Sequence, residues 1–285
     1  MKKSFITILL AAAALSAVTV ACNKETPAQQ DLAPASDGEI ILNVGDTFDA
    51  VLDTKTTAVT SVPGTLYWGA STGSGTETAK WSSASATVSA GKISTGKYQT
   101  ATPTTYNFYV ANQTFSVGSS TTMTVANNNT DVVCGRASSY STTPSVTLNH
   151  IFCRTGSFTM NTQTGYNISS VSWKIVGKSD INGTAGTYNL TSDSWTSAST
   201  KLSSDTAITS SSDMYLIPAT YTIKCTYTLS KGDWSGTFTK SADVTLVKGK
   251  INNITGTATG GGASEIVLSV SLTDWGTQDH TPTFS

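Results

Sequence analysis

From Tyr221 to Leu229 the chain alternates without a fault: Tyr221, Ile223, Cys225, Tyr227 and Leu229 are apolar or aromatic, and Thr222, Lys224, Thr226 and Thr228 between them are polar. Successive side chains of an extended strand leave opposite faces, so this period puts every apolar group on one side and excludes a helix. The stretch from Thr237 to Val247 is the expected partner, reached through Ser230 to Gly236, where Gly232, Asp233 and Gly236 supply turn conformations. Shorter alternations stand at Tyr106, Phe108 and Val110, at Val171, Trp173 and Ile175, and at Ile266, Leu268, Val270 and Leu272. Nothing beyond the N-terminal apolar segment keeps helical periodicity for several turns. The expected fold class is all-β, in two tandem antiparallel β-sandwich domains.

The N-terminus has another character. Lys2 and Lys3 precede an apolar run from Phe5 to Ala21, and the small Thr19, Val20 and Ala21 stand directly before Cys22. A charged start, a short apolar core and small residues before a cut site form a secretory signal rather than a membrane span. The segment resembles a bacterial lipoprotein signal, in which Cys22 becomes the lipidated first residue; an ordinary signal with a coincidental cysteine is the alternative. Acyl chains bind a membrane with about 0.8 kcal/mol per buried methylene, so several of them anchor a protein stably. Lys24 and Glu25 are similar to the charged export tags of some surface lipoproteins. The expected organisation is a signal peptide at 1–21, a flexible tether at 22–38 rich in Pro and Ala, and sandwich domains at 39–143 and 144–285.

Only 12% of the residues are charged and the net charge is −1, against about 25% charged in ordinary proteins. No block of like charge offers itself to nucleic acid, so no nucleic-acid partner is expected. The 6 Trp, 10 Tyr and 8 Phe spread along the chain provide for packed cores. Cys134, Cys153 and Cys225 have no zinc-site spacing; small buried core residues are one reading of them, a Cys153–Cys225 bridge another.

Hydrolytic chemistry is poorly supplied. His150 lies in a strand-like run and His280 in a polar tail, with no Gly-x-Ser-x-Gly elbow. Asp46, Asp49 and Asp53 lack EF-hand spacing, and Gly256 and Gly260 to Gly262 lack the following helix of a phosphate site, reading instead as a loop before the last strand. No enzyme activity, cofactor or metal is expected. Trp195 and Trp234 sit among turn-like polar residues, where an indole either fills a core or stacks on a sugar.

Ser145-Val146-Thr147-Leu148-Asn149-His150 leading to Phe158-Thr159-Met160, then Leu246-Val247-Lys248-Gly249-Lys250 and a closing Val270-Ser271-Leu272-Thr273-Asp274-Trp275, resemble in their order the fimbrillin family of gut and oral Gram-negative anaerobes, relatives of the FimA and Mfa-like pilins. The resemblance implies two transthyretin-like sandwiches, outer-membrane transport as a lipoprotein, and fimbriae built by strand exchange with other fimbrial subunits. In that scheme a protease removes the first strand and the C-terminal segment of a neighbour fills the groove. The matching leaving segment here is Glu39 to Leu52, with cleavage at Lys55 or another bond, since Arg136 and Arg154 are the only arginines. The tail from Gly276 to Ser285 has no alternate apolar run; only Ile266 to Leu272 has donor character. The expectation is a surface fimbrial subunit of tip, accessory or anchor type that contributes to adhesion. A glycan-binding surface lipoprotein using Trp195 or Trp234, with host or bacterial surface glycans or proteins as partners, is the rival.

Overall fold

The computed structural model describes residues 38–46, 57–58, 65–73, 77–100, 104–208, 214–259 and 265–274. Every regular element among them is a strand. In chain order these are β1 Glu39–Asp46, β2 Thr57–Ala58, β3 Leu66–Thr72, β4 Thr78–Ala86, β5 Val88–Ser89, β6 Lys92–Tyr98, β7 Tyr106–Ala111, β8 Thr122–Val125, β9 Val133–Ser139 and β10 Ser145–His150. They continue with β11 Cys153–Thr162, β12 Asn167–Gly177, β13 Ala185–Asn189, β14 Ser194–Thr200, β15 Thr206–Ile208, β16 Tyr215–Leu216, β17 Thr220–Lys231, β18 Trp234–Thr245, β19 Lys250–Thr259 and β20 Glu265–Asp274.

The first half forms one curled sheet in the order β4-β3-β7-β9-β10-β1-β6-β5, with β2 paired to the end of β1. Its inner face closes on Ile40, Leu42, Val44, Trp68, Ile93, Phe108, Val146 and Leu148. The second half is a sandwich of β16-β11-β19-β20 on β15-β12-β17-β18, packed around Phe158, Trp173, Ile175, Tyr221, Tyr227 and Ile254. Most ladders are antiparallel; β1 with β10 and β11 with β19 run parallel. Each of these pairs joins residues about a hundred positions apart, so a long connection separates the two strands, as parallel pairing requires.

A third sheet, β14-β13-β8, draws β8 from before β10 and β13 and β14 from after it. It covers the outer side of the first sheet, over a core of Tyr109, Met123, Cys134, Ile151, Phe152 and Tyr188. Strand β7 is therefore buried on both faces along its whole length, and the Tyr106, Phe108, Val110 stripe is only half of its packing. β10 follows the turn cluster at 138–144 and completes the first sheet, pairing with β9 and β1; the passage into the second sandwich comes at Ile151 and Phe152.

Three sequence expectations change in detail. The 221–229 hairpin is longer and tighter than expected: Lys231 pairs with Trp234, leaving a two-residue turn. Gly232, at φ 59°, supplies the positive dihedral such a turn needs at its first central position. Val171 does not share a face with Trp173 and Ile175, for it is 39% exposed. Ser170, at φ 53°, forms a bulge between Ser169 and Ser172 that switches the inward register from Ile168 to Trp173. Gly256 belongs to β19, opposite Leu268, and not to a loop.

Candidate assembly site at the first strand

The sequence of β1, Glu-Ile-Ile-Leu-Asn-Val-Gly-Asp, sends Ile40, Leu42 and Val44 into the first core, where none is more than 2% exposed. Each side chain so buried contributes about 1.5–3 kcal/mol relative to exposure. Ile41, Asn43 and Gly45 lie on the other side of the pleat. β1 is an interior strand. Along one margin Asn43, Val44, Gly45 and Asp46 run parallel to Ser145, Val146, Thr147 and Leu148, and the amides of Ile41 and Asn43 donate to the carbonyls of Thr142 (2.7 Å) and Pro144 (2.8 Å). Along the other, Ile41, Leu42 and Asn43 oppose Ser94, Ile93 and Lys92 of β6, and β2 takes over opposite Gly45 and Asp46.

The start of β1 is pinned by a side chain. Glu39 Oε1 accepts from Ser94 Oγ and, at 2.8 Å, from the amide of Gly96. Gly96 stands at φ 61°, which turns its N–H toward the carboxylate. The Ser94 hydroxyl first and the Gly96 amide second hold the Glu39 carboxyl below its ordinary range. Thr95 Oγ1 donates to the Ile40 carbonyl at 2.6 Å. Neighbouring β10 is seated by glycine: a Cβ on Gly135 of β9 would lie 2.2 Å from the Thr147 carbonyl oxygen. Sequence reasoning singled out the apolar residues of β1 and missed Glu39 and Gly96, whose partnership spans 57 positions and leaves no local pattern.

The anticipated site residues fall in different places. Cys22, Lys55, Asp49, Asp53, Gly260 to Gly262, Trp275 and the tail lie outside the described residues. In chain order Lys55 falls in the 47–56 connection between β1 and β2. Both arginines lie inside strands: Arg136 of β9 pairs with Glu77 at 3.2 Å, and Arg154 belongs to β11. Glu77 also accepts from Asn107 (2.6 Å) and Tyr109 (2.8 Å) and meets Thr191 of the β13–β14 turn. His150 is buried with Nδ1 2.8 Å from the equally buried Asp131 carboxylate, a strand histidine paired with a carboxylate. The three cysteines within the described fold are free and buried, so there is no Cys153–Cys225 bridge. Burial pushes the Cys134 thiol up to about 12 and that of Cys225 up to about 11.

The two tryptophans part company. Trp195 is a packing residue: its ring lies 5.0 Å from Phe152 and 5.3 Å from Tyr188, and its Nε1 donates to the Ile151 carbonyl at 3.1 Å. Two aromatic neighbours and a backbone carbonyl thus engage its ring and its polar edge. Trp234 is 46% exposed beside the hairpin turn. It leans with Phe238 (6.2 Å) over Gly236, where a Cβ would meet both rings, and its outward face remains open.

The fold recurs in solved structures. A fimbrial protein from Bacteroides vulgatus matches with a TM-score of 0.55 at 14% identity, over 83% of this chain and 99% of its own. A candidate cell adhesion protein from Parabacteroides distasonis matches with a TM-score of 0.56 at 10% identity, over 84% and 98%. The likeness is one of fold: the chain has the all-β sandwich architecture of fimbrial proteins, as the fimbrillin resemblance implied. No family model and no curated protein matches it.

Proposed function

We propose that the chain is a non-enzymatic fimbrial subunit of the cell surface, tethered to the outer membrane through Cys22, which assembles with other subunits by exchange of β1 and contributes to adhesion. The observation that carries this reading is the setting of β1: an interior strand, core-filling on one face, bonded along both margins, and separated in chain order from β2 by 47–56. A cut at Lys55 would turn β1 into a bound peptide whose departure opens two ladders and three apolar seats to an incoming strand. The unpatterned tail beyond Trp275 favours a tip, accessory or anchor position if the tail is the donor.

Trimming the protein at Lys55 should produce oligomers, read by light scattering after size exclusion. A trimmed chain that stays monomeric at high concentration overturns polymerisation. The open face of Trp234 supports a second reading, adhesion through a glycan; there Trp234→Ala should abolish retention on a glycan array while leaving assembly intact.

A further inference from the structure

The inner face of the β17–β18 hairpin runs out from under its cover. Tyr227 and Leu229 are buried, but Lys231, next on the same face, is exposed, and so is Trp234, the residue it pairs with. Paired residues of an antiparallel ladder share a face, with Cβ atoms about 5 Å apart. On the other side of Lys231 stands Tyr166: Asn167, which follows it, pairs with Ser230, and the Lys231 ammonium lies over the Tyr166 ring, 4.9 Å from its centre. Across the open end of the sheet run an aromatic ring, a cation and a second aromatic ring.

The rank behind them shapes the shelf. Leu229 opposes Gly236, and the missing side chain at Gly236 lets two rings lie down together, since a Cβ there would come within 3.0 Å of Phe238 and 3.3 Å of Trp234. The hairpin's other ion pairs belong to its outer face, where Lys224 meets Asp205 at 2.7 Å and Asp243 meets Lys178. Lys231 pairs with no carboxylate among the described residues, and Asp233 lies in the two-residue turn, off the ladder. An exposed indole thus stands beside a cation whose charge no acid of the described fold answers.

We infer that this shelf binds an acidic pyranose, a sugar ring that carries a carboxylate. The apolar C–H face of the ring lies on the open face of Trp234, and the carboxylate turns to the Lys231 ammonium. This rests on the glycan reading of Trp234 and deepens it by naming the class of sugar. An indole face accepts any ring with a flat apolar side and separates one hexose from another only weakly. The cation beside it adds a charge-assisted hydrogen bond that an acid can make and its neutral counterpart cannot. A wholly apolar ligand would use the indole and leave the ammonium without a partner.

Methyl β-glucuronide and methyl β-glucoside differ only in that carboxylate, so the pair gives the test. Each is titrated against the full chain at low salt, with binding read by saturation transfer from the protein to the ring protons of the sugar. The glucuronide should bind about three- to fivefold more tightly, the range one exposed ion pair supplies, and the preference should vanish when salt screens the charges. Lys231→Gln should bring the glucuronide down to the glucoside without weakening the glucoside, whose retained binding shows that the variant is folded. Trp234→Ala should abolish binding of both sugars. A wild-type chain that binds the glucuronide no better than the glucoside, or a preference that survives Lys231→Gln, overturns the acidic-sugar inference and leaves Trp234 as a glycan contact. If neither sugar binds the wild type, or both bind Trp234→Ala equally well, the glycan reading falls with it.

Discussion

β1 and β11 open their halves of the molecule in the same way. Each enters its sheet as an interior strand and runs parallel to a strand about a hundred residues later, β10 in one case and β19 in the other. They differ in what holds their ends. β11 follows β10 through Ile151 and Phe152, both buried, with the Ile151 amide bonded to the Val132 carbonyl (3.1 Å) and the Phe152 carbonyl receiving the Gly249 amide (2.8 Å). β1 is the first described strand, and in chain order 47–56 separate it from β2. On the strand-exchange reading proposed above, the same topology is fixed in one half and exchangeable in the other, because one chain break between β1 and β2 would free the first strand.

The comparison can be broken in several ways. The largest expected effect is from Phe158→Ala in β11 and Leu42→Ala in β1, each costing about 3 kcal/mol through the cavity left behind. Urea unfolding would measure it, and if only β1 is replaceable, adding a Glu39–Asp46 peptide of wild-type sequence to the trimmed chains should restore stability to Leu42→Ala and not to Phe158→Ala. Next, Trp195→Ala should cost about 2–3 kcal/mol by emptying the space between Phe152 and Tyr188, whereas Trp234→Ala should change stability by less than about 1 kcal/mol; equal losses would contradict their assigned roles. Asp131→Ala should cost about 1–3 kcal/mol by removing the buried carboxylate that His150 Nδ1 meets where the chain leaves β10. The smallest effect belongs to Glu39. Its carboxyl is held below the ordinary 4.5 in the folded protein, so its contribution is complete above that value and is lost as the pH falls through the lowered one. Hydrogen-exchange protection at Ile41 and Asn43, taken relative to the intrinsic rate at each pH, should fall on acidification in the wild type and be already lower at neutral pH in Glu39→Gln, with protection in β11 unaffected in both.

Much of this was readable in the letters. The long hairpin, the all-β class and the inward stripe of β1 follow from period two alone. Val171 misled because the Ser170 bulge depends on a backbone dihedral that serine does not advertise. Trp195 misled because Ser194, Thr196 and Ser197 around it are polar, while its ring is claimed by Phe152, far away in sequence. The sheet of β8, β13 and β14 was invisible for a related reason: its strands are short, and its burial comes from packing across the other side of β7.

The third sheet has a mechanical consequence. Because β8 comes from the first half and pairs with β13 from the second, over a core shared by both, the halves are not beads on a string. A tensile load drawing the halves apart would have to break the β8–β13 ladder and open the core that both halves share.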